Sequence, residues 1–300
     1  MKVTITGATG LIGPKLVAAL TARGDEVTVL SRDPDRARGA LGVDAQRWDL
    51  LSEPAPVAAL AGRDAVVHLA GEPVAQRWSD DVKQAIRASR ETGTRNLVAG
   101  IEQASPRPAT LVSSSAVGYY GKHGDERLDE TAAAGEDFLA RTCVVWEREA
   151  LAAGDLGLRV VTIRTGVVLD SGGGALKTML RPFKAGVGGP VAGGRQYIPW
   201  IHVDDIVGLY LAALDDGAWS GPVNGSAPEP VTNRDFSKAL GRALHRPAIA
   251  PVPALALRVL YGEMAEIVTE GQRAIPARAL AAGHVFAHPD LDEALSSALA

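Results

Sequence analysis

The first half of the chain alternates short apolar runs with longer segments in which apolar residues recur at helical spacing. Residues 3–6 have the pattern of a buried strand, and residues 11–22 have that of an amphipathic helix. The same alternation predicts strands at 26–31, 45–48, 65–70, 110–113 and 159–164, and helices at 80–103 and 136–153. Strands that alternate with helices are typical of βαβ units with parallel strands. We therefore predict the α/β class, with a Rossmann-like, doubly wound parallel sheet.

The pattern changes after Asp170, where glycine-rich loops replace the regular alternation. Two further helices are predicted at 232–244 and 255–268, with three prolines between them. A chain of 300 residues is long for one compact core. We predict a Rossmann domain over residues 1–170 and a smaller C-terminal lobe over residues 171–300, with an approximate boundary and elements that can interleave.

Composition narrows the range of partners. Hydrophobic residues make up 46% and charged residues 22% of the chain, as in ordinary globular proteins, and the net charge is −4. This charge provides no global basic field for nucleic acid or an anionic membrane, so we expect neither partner. The single cysteine, Cys143, cannot form an intramolecular disulfide, and the N-terminus lacks the pattern of a signal peptide. We expect a cytoplasmic protein, either a monomer or a homodimer.

Three glycines, Gly7, Gly10 and Gly13, lie where the first predicted strand turns into the first predicted helix. At such a turn the first glycine permits the tight bend, the second lets a pyrophosphate approach the backbone, and the third lets the helix pack closely on the sheet. Free N–H groups and the positive end of the helix dipole then face the anion. The spacing and its context predict a dinucleotide cradle, whereas the alternative is a glycine-rich turn without a ligand.

The residues after the second predicted strand indicate which dinucleotide is bound. An acidic residue there would accept hydrogen bonds from the ribose 2′-OH of NAD, whereas an arginine would pair with the 2′-phosphate of NADP. This chain has Ser31 and Arg32, while Asp33 comes one position later and is expected to cap the turn before Pro34. A guanidinium binds phosphate in a bidentate manner, although Arg32 could also be a solvated surface charge. NADP(H) is therefore favoured over NAD(H), and residues 1–170 are predicted to bind it.

Four motifs together resemble the short-chain dehydrogenase/reductase superfamily in its extended form. They are TGATGLIG at the first turn, HLAG at 68–71, SSSAVGYYG at 113–121 and PWIHVDD at 199–205. The chain is most similar to the epimerase-like branch described as predicted nucleoside-diphosphate-sugar epimerases with a C-terminal domain of unknown function. GEPVAQRW at 71–78, FLARTCVVWE at 138–147 and a C-terminal pattern through Pro276 carry this closer likeness. The resemblance covers nearly the whole chain.

The resemblance implies cofactor contacts at the matching positions. The pyrophosphate would lie against the first turn, the adenine beside the residues after the third strand, and the nicotinamide beside the HLAG motif and the strand end after it. His68 is expected to be a packed residue, and the lone cysteine and scattered histidines suggest no metal site. The implied cofactor residues, with Gly7, Gly13, Ser31 and Arg32 from above, are Thr9, Gly10, Leu11, Ile12, Asp49, Leu50, Leu69, Ala70, Gly71, Glu72 and Ser113.

The catalytic residues of the superfamily are only partly present. The family uses a serine, a tyrosine and a lysine four residues after the tyrosine, which lowers the tyrosine pKa. Ser115 matches the serine, with Ser114 as its close rival, but Leu139 and Cys143 fall on the tyrosine and lysine positions.

Replacement groups for the missing pair can be suggested from the neighbouring sequence. Tyr119 or Tyr120, with Lys122 nearby, could supply a proton, and so could Glu72. The alternative for the two tyrosines is a packed aromatic corner. Cys143 is expected to be a small buried hydrophobe rather than a nucleophile.

Three side chains are candidates for substrate binding. Arg77 and Trp78 follow the HLAG strand, and Trp200 begins the PWIHVDD motif; such residues hold anionic or planar groups, as in a nucleotide sugar. The sequence thus predicts an NADP(H)-dependent oxidoreductase or epimerase acting on a small carbonyl, hydroxyl or nucleotide-sugar substrate, bound by the C-terminal lobe. The alternative is a catalytically weak NADP(H)-binding regulatory or scaffold protein.

Overall fold

The computed structural model describes residues 1–300 and contains thirteen strands and eleven α-helices. The strands are β1 (Lys2–Thr6), β2 (Glu26–Ser31), β3 (Asp44–Arg47), β4 (Ala65–His68), β5 (Thr110–Ala116), β6 (Arg127–Leu128), β7 (Arg159–Thr165), β8 (Val167–Leu169), β9 (Tyr197–Ile198), β10 (Trp200–His202), β11 (Gly221–Gly225), β12 (Val231–Thr232) and β13 (Arg273–Ala274). The helices are α1 (Gly13–Ala22), α2 (Pro34–Leu41), α3 (Asp80–Gln103), α4 (Phe138–Leu151), α5 (Gly174–Lys184), α6 (Val203–Asp215), α7 (Asn233–Ala243), α8 (Ala254–Tyr261), α9 (Glu266–Thr269), α10 (Ala277–Ala281) and α11 (Leu291–Leu299).

Seven parallel strands form the central sheet in the order β11-β7-β5-β4-β1-β2-β3. The chain begins in the interior of the sheet at β1, runs outward to β3, and then returns through β4 to the opposite edge. This reversal of direction is the switch point of a doubly wound fold, and ligands bind there at the carboxyl ends of the strands. The predicted Rossmann-like fold is confirmed.

The sheet is buried on both faces, which explains the nearly continuous apolar runs of its inner strands. On one face α1 and α6 cover Val3, Ile5 and Val67, and on the other α3 covers Val66 and Leu111. Polar caps start the helices on the second face. Ser79 accepts a hydrogen bond from the N–H of Val82 at the start of α3, and Asp137 accepts one from that of Ala140 at the start of α4.

A third apolar cluster defines the C-terminal lobe, in which α5, α7 and α11 pack around Trp200 and Phe236. The lobe and the sheet are interleaved along the chain. Although α6 and β11 come after residue 170, α6 packs on the sheet and β11 pairs with β7 at its edge. The predicted boundary is thus crossed by the sheet itself, because its last strand is reached only after a long crossover.

Two predicted elements differ from the structure in informative ways. The helix expected at 255–268 is broken into α8, a 3₁₀ turn (Gly262–Ala265) and α9, because Gly262 has a φ of +65°, which no helix interior accommodates. The strand expected at 65–70 ends at His68, where the chain leaves the sheet for a loop. None of the helices has the length and apolar composition that a membrane span requires.

Candidate functional site

A groove of about 350 Å³ lies over the carboxyl ends of β1, β2 and β4, at the switch point of the sheet. The turn after β1 forms its floor, the end of β2 and the segment after β3 form one side, and the loop after β4 forms the other. The lining residues are Thr6, Gly7, Ala8, Thr9, Gly10, Val29, Leu30, Ser31, Arg32, Trp48, Asp49, Leu50, Leu51, Leu69, Ala70, Gly71, Glu72, Pro73, Ala85 and Ser89.

Gly7 and Gly13 have the geometric roles that the sequence predicted, and Gly10 has the open space that its predicted role requires. Gly7 has a φ of +69°, and a Cβ there would come within 2.6 Å of the Ala70 backbone nitrogen. A Cβ on Gly13 would overlap the carbonyl of Ala8. By contrast, a Cβ on Gly10 would meet only the Gly7 carbonyl oxygen, at 3.3 Å. The first and third glycines are therefore required by the fold, whereas the second leaves open space above the turn.

The start of α1 is suited to hold an anion. Ile12 occupies the N-cap position and no side chain caps the helix. Pro14 has no N–H, so the N–H groups of Gly13 and Lys15 are the ones left for a ligand. Leu11, Ile12 and Gly13 do not line the groove themselves, although the sequence assigned them to the cofactor; a Cβ on Gly174 would lie 2.8 Å from the Leu11 side chain.

At the far end of the groove lie Ser31 and Arg32, the predicted NADP-selecting pair. The Arg32 side chain is exposed and has no ion pair, so its guanidinium is available. Ser31 Oγ is held 3.1 Å from the Asp33 backbone nitrogen, and Asp33 itself caps α2 by accepting from the N–H of Arg36. The expectation that Asp33 is a cap is confirmed.

Beside the groove, a second cavity of about 310 Å³ opens between the end of β5, the start of α4 and residues 263–272; we call it the cleft. The two cavities approach each other at the loop after β4: Gly71 and Glu72 line the groove, and Arg90, which lines the cleft, contacts both residues. A Cβ on Gly71 would lie 3.4 Å from Arg90 Cζ, and Arg90 Nη1 donates to the carbonyl of Glu72 at 3.0 Å. The residues that line the cleft include Trp78, Arg90, Ala116, Val117, Gly118, Lys122, Phe138, Leu139, Thr142, Cys143, Tyr197, Glu263, Glu266 and Glu270.

The three predicted serines of β5 do not reach either cavity. Ser113 is fully buried. Ser114 Oγ lies 2.6 Å from the hydroxyl of Tyr210, and Ser115 Oγ donates to Glu147 Oε1 at 2.6 Å. Both hydroxyls thus have partners inside the protein, and the expected roles of these serines at the nicotinamide and the substrate remain predictions. At the end of the strand, Ala116 faces the cleft instead.

The two adjacent tyrosines form the packed aromatic corner that the sequence analysis kept as the alternative to catalysis. Tyr120 is fully buried and donates to Asn224 Oδ1 at 2.7 Å, and burial raises its pKa to about 12. The guanidinium of Arg164 lies 3.4 Å from the centroid of the Tyr119 ring. Neither tyrosine lines the cleft, and the structure gives both a packing role in place of the predicted proton transfer.

Leu139 and Cys143, which the sequence predicts at the family's tyrosine and lysine positions, both line the cleft. The site where a phenol and an ammonium would stand therefore presents an isobutyl group and a thiol. Burial raises the pKa of the Cys143 thiol to about 12. The thiol remains neutral near pH 7, which agrees with the expectation of a small buried hydrophobe.

We expect Cys143 to resist alkylation in the folded protein. A thiol pKa near 12 leaves only about one thiolate in ten thousand at pH 8, against roughly one in four for an ordinary cysteine of pKa 8.5. Mass spectrometry after iodoacetamide treatment at pH 8 should show slow modification in native protein and complete modification in urea. Native modification as fast as that of a free thiol would contradict this assignment.

The three predicted substrate residues have different environments. Trp78 lines the cleft and packs edge-on against Phe138, with ring centroids 5.2 Å apart. Arg77 instead donates to the backbone carbonyls of Val259 and Leu260, and so holds α8 in place. Trp200 is 1% exposed within the core of the lobe. Arg77 and Trp200 do not line the cleft, contrary to the prediction that they bind substrate. A sequence cannot show which face of a loop or strand turns inward.

One group of potential metal ligands comes together only in three dimensions. His202, Asp204 and His288 have ligand atoms within 4.8 Å of one another, although His288 is 84 residues from Asp204 in the chain. His202 Nδ1 accepts from the backbone N–H of Asp204 at 3.2 Å, and Lys15 Nζ lies 4.0 Å from the Asp204 carboxylate. His202 and Asp204 thus already have partners within the protein. Metal-ligand spacing in the sequence does not reveal this cluster, because His288 is far from the other two residues along the chain.

The sequence did not single out Ser89, which lines the groove, or Arg90, which lines the cleft. The hydroxyl of Ser89, in α3, accepts a hydrogen bond from the N–H of Glu72 at 2.9 Å and so fixes the loop after β4. Arg90 stands next to it at the junction of the two cavities. The only signal for these residues was their position on the inner face of α3, and the same spacing is typical of a core contact.

Comparison with known proteins agrees with this geometry. The model of the NAD dependent epimerase/dehydratase family matches residues 3–224, and that of DUF1731, a domain of unknown function, matches residues 252–298. The chain is 37% identical over 305 residues to the human epimerase family protein SDR39U1, with 100% of both chains covered. It is 43% identical over 298 residues to the epimerase family protein MT2273 of Mycobacterium tuberculosis, which covers 99% of this chain and 97% of the relative.

Solved structures show the same relationship. The crystal structure of human SDR39U1 (isoform 2) with NADPH has a TM-score of 0.89 at 37% identity, covering 99% of this chain and 98% of the other. UDP-glucuronic acid 4-epimerase from Bacillus cereus with NAD has a TM-score of 0.78 at 17% identity, covering 99% and 94%, and shares the fold. The chain therefore belongs to the NAD dependent epimerase/dehydratase family, with an extended short-chain dehydrogenase/reductase fold and a C-terminal DUF1731 domain.

Proposed function

We propose that this protein binds NADP(H) along the groove and transfers hydride between the nicotinamide and a carbonyl or hydroxyl carbon of a small substrate in the cleft. The junction of the two cavities at Gly71, Glu72 and Arg90 carries this proposal. A dinucleotide anchored at the first turn and directed toward this loop would place its nicotinamide end beside the cleft. The bound cofactor would supply the hydride, and the protein would supply position and electrostatics.

The groove fits the cofactor by its own geometry. Gly10 leaves space for a pyrophosphate, and α1 begins with free N–H groups beneath it. Arg32 offers an unpaired guanidinium where the adenosine ribose would lie. The presence of NADPH in the structure of human SDR39U1, a protein 37% identical to this one, supports the same assignment.

Arg32→Asp should weaken NADPH binding by about 30-fold or more and NADH binding by less than about threefold, because it removes the partner of the 2′-phosphate and adds a repulsive charge. Isothermal titration of both cofactors measures the two effects. Arg36→Asp is the matched control, since Arg36 is an exposed arginine on α2 outside the groove. Equal losses for NADPH and NADH in Arg32→Asp would contradict the role of this residue in selecting NADP.

A second function, cofactor binding with little catalysis, is favoured by one observation. Leu139 and Cys143 line the cleft where the superfamily places its proton donor and ammonium. A regulatory or scaffold protein would need only the groove. Turnover distinguishes the two functions, because a binding protein would hold NADPH without oxidising it.

The decisive experiment is to add aldehydes, ketones and keto acids to the NADPH complex, and nucleotide sugars to the NADP⁺ complex. A reductase would cause a lasting loss of NADPH fluorescence at 340 nm excitation. An epimerase would take a hydride from the sugar onto NADP⁺ and return it, so NADPH fluorescence would appear transiently or not at all while chromatography detects the epimer. If NADPH binds tightly but no panel member is converted, the catalytic proposal fails and the binding function stands.

A further inference from the structure

The Arg90 guanidinium is a cation without a carboxylate partner at the inner end of the cleft. No carboxylate oxygen lies within 4.0 Å of it, whereas the buried Arg164 is paired with Glu147. Nη1 donates to the carbonyls of Glu72 and Ile86, at 3.0 and 3.1 Å. Nε and Nη2 make no hydrogen bond within the protein and are not sealed from solvent. Because Arg90 lines the cleft, these donors are open to a ligand there.

The charge of Arg90 is only partly balanced by its neighbours. The Glu72 carboxylate acts on it from beyond ion-pair distance, and Cys143 is close enough to interact with it, but burial raises the pKa of that thiol to about 12, so the thiol is uncharged. Burial also lowers the pKa of Arg90, and an arginine nevertheless keeps its proton in proteins. Removing a cation from water is costly unless an anion contacts it. A largely buried guanidinium without a contacting carboxylate therefore indicates that a ligand binds there.

The position of the guanidinium is fixed before any ligand arrives. The Trp146 ring supports it from below, with Cζ 4.8 Å from the ring centroid, and the two carbonyl bonds hold Nη1. A planar fork held in this way matches a carboxylate, and little entropy is lost when the pair forms. Side chains of Trp78, Phe138 and Leu139 supply an apolar wall in the same cavity.

The other charged residues of the cleft offer an anion no free cation. Glu263 pairs with Lys83, and Glu270 pairs with Lys122 at 2.8 Å, so these charges balance one another. Glu266 also lines the cleft and has no ion pair. A nucleoside diphosphate would bring two charges into a cleft that offers one free guanidinium and one unpaired carboxylate. A compact molecule with a single negative charge fits the arrangement better.

We propose that Arg90 is the anion-binding residue of the cleft and that the substrate is a small apolar molecule with one carboxylate group. This inference rests on the proposed function and names the substrate class of the same site. The carboxylate would accept from Nε and Nη2, and the apolar body would lie against Trp78 and Phe138. The reacting carbon would then lie near the Gly71–Glu72 loop, which Arg90 contacts directly.

The test uses two probes of equal shape, 3-phenylpropanoate and its neutral amide, titrated into the full-length protein with and without saturating NADP⁺. The wild-type protein should bind the acid about 10- to 100-fold more tightly than the amide, as expected for hydrogen bonds to a charged group. Arg90→Met should lose that preference and Arg90→Lys should keep part of it. In both variants the NADPH dissociation constant should change by less than about threefold.

Arg87→Met is the matched control, since Arg87 is an exposed arginine one turn earlier on α3, paired with Glu91. It should preserve the preference for the acid, and thermal melts of each variant establish that the protein is folded. Equal binding of acid and amide by the wild type, failure of both probes to bind, or an acid preference that survives Arg90→Met would each overturn the proposal. Loss of NADPH binding in Arg90→Met would also overturn it, by making Arg90 a cofactor residue.

The two proposals fail separately. A wild-type protein that prefers the acid but does not bind NADPH contradicts the proposed function and supports an anion site at Arg90. A protein that binds and oxidises NADPH without any preference for the acid contradicts the anion site alone.

Discussion

Gly10→Val is expected to reduce NADPH affinity by about 100-fold or more and to leave the fold intact. The valine side chain would fill the space above the first turn, where the pyrophosphate would otherwise accept hydrogen bonds from the start of α1. The fold tolerates the change because a Cβ at this position meets only the Gly7 carbonyl oxygen, at 3.3 Å, and the backbone φ is not in the left-handed region. Calorimetric titration gives the affinity, and a urea unfolding curve gives the stability.

Gly13→Val provides the contrasting variant. Its Cβ would overlap the Ala8 carbonyl, so the helix would have to move away from the turn. We expect a loss of about 3 kcal/mol in the free energy of unfolding. Gly39→Ala, in α2 with nothing near its Cβ position, is the control and should leave stability unchanged or slightly raised, because alanine favours a helix more than glycine does. Normal NADPH affinity in a folded Gly10→Val protein would show that the groove does not hold the pyrophosphate as proposed.

Glu147→Leu is expected to destabilise the protein by about 3–5 kcal/mol, because it leaves the buried Arg164 cation without its partner. Glu147 is 6% and Arg164 is 3% exposed, and two hydrogen bonds of 2.8 and 2.9 Å join them. Ser115 donates to the same carboxylate, so β5, α4 and β7 all depend on it. Urea unfolding, followed by far-ultraviolet circular dichroism, measures the loss.

The double variant Glu147→Leu/Arg164→Met tests the physical cause. If the unpaired charge is responsible, removing the arginine as well should recover a large part of the lost stability. Arg242→Met breaks an exposed pair with Asp292 and should cost less than about 1 kcal/mol. A single variant as stable as this control would contradict a structural role for the buried pair.

The sequence predicted the Rossmann-like part well, because each of its elements is specified locally. The strands β1, β2 and β5 are short apolar runs, which indicate buried strands. Helix α3 has a long amphipathic pattern that follows a serine cap. The cradle was predicted for the same reason. Gly7, Gly10 and Gly13 act on the backbone of a single turn, so their spacing already contains their geometry.

The catalytic residues were predicted less well, because the direction of a side chain at a strand end depends on what packs against it. Ser115 and Tyr120 matched a motif, but Glu147, Arg164 and Asn224 come from three other elements and draw both hydroxyls into the interior. Trp200 is buried for a similar reason, since α7 and α11 cover it. None of these partners is near the motif in the chain.

The sequence by itself determined the fold class and the family, and it predicted the cofactor cradle and the pair of residues that would select NADP. These features depend on local spacing and on backbone geometry within one or two elements. Only the tertiary structure decided which side chains face the cleft, that Leu139 and Cys143 line it, and that Arg90 stands unpaired where the groove and the cleft meet. Whether a charge is paired depends on the nearest atoms in space, and those atoms belong to segments that are far apart in the sequence.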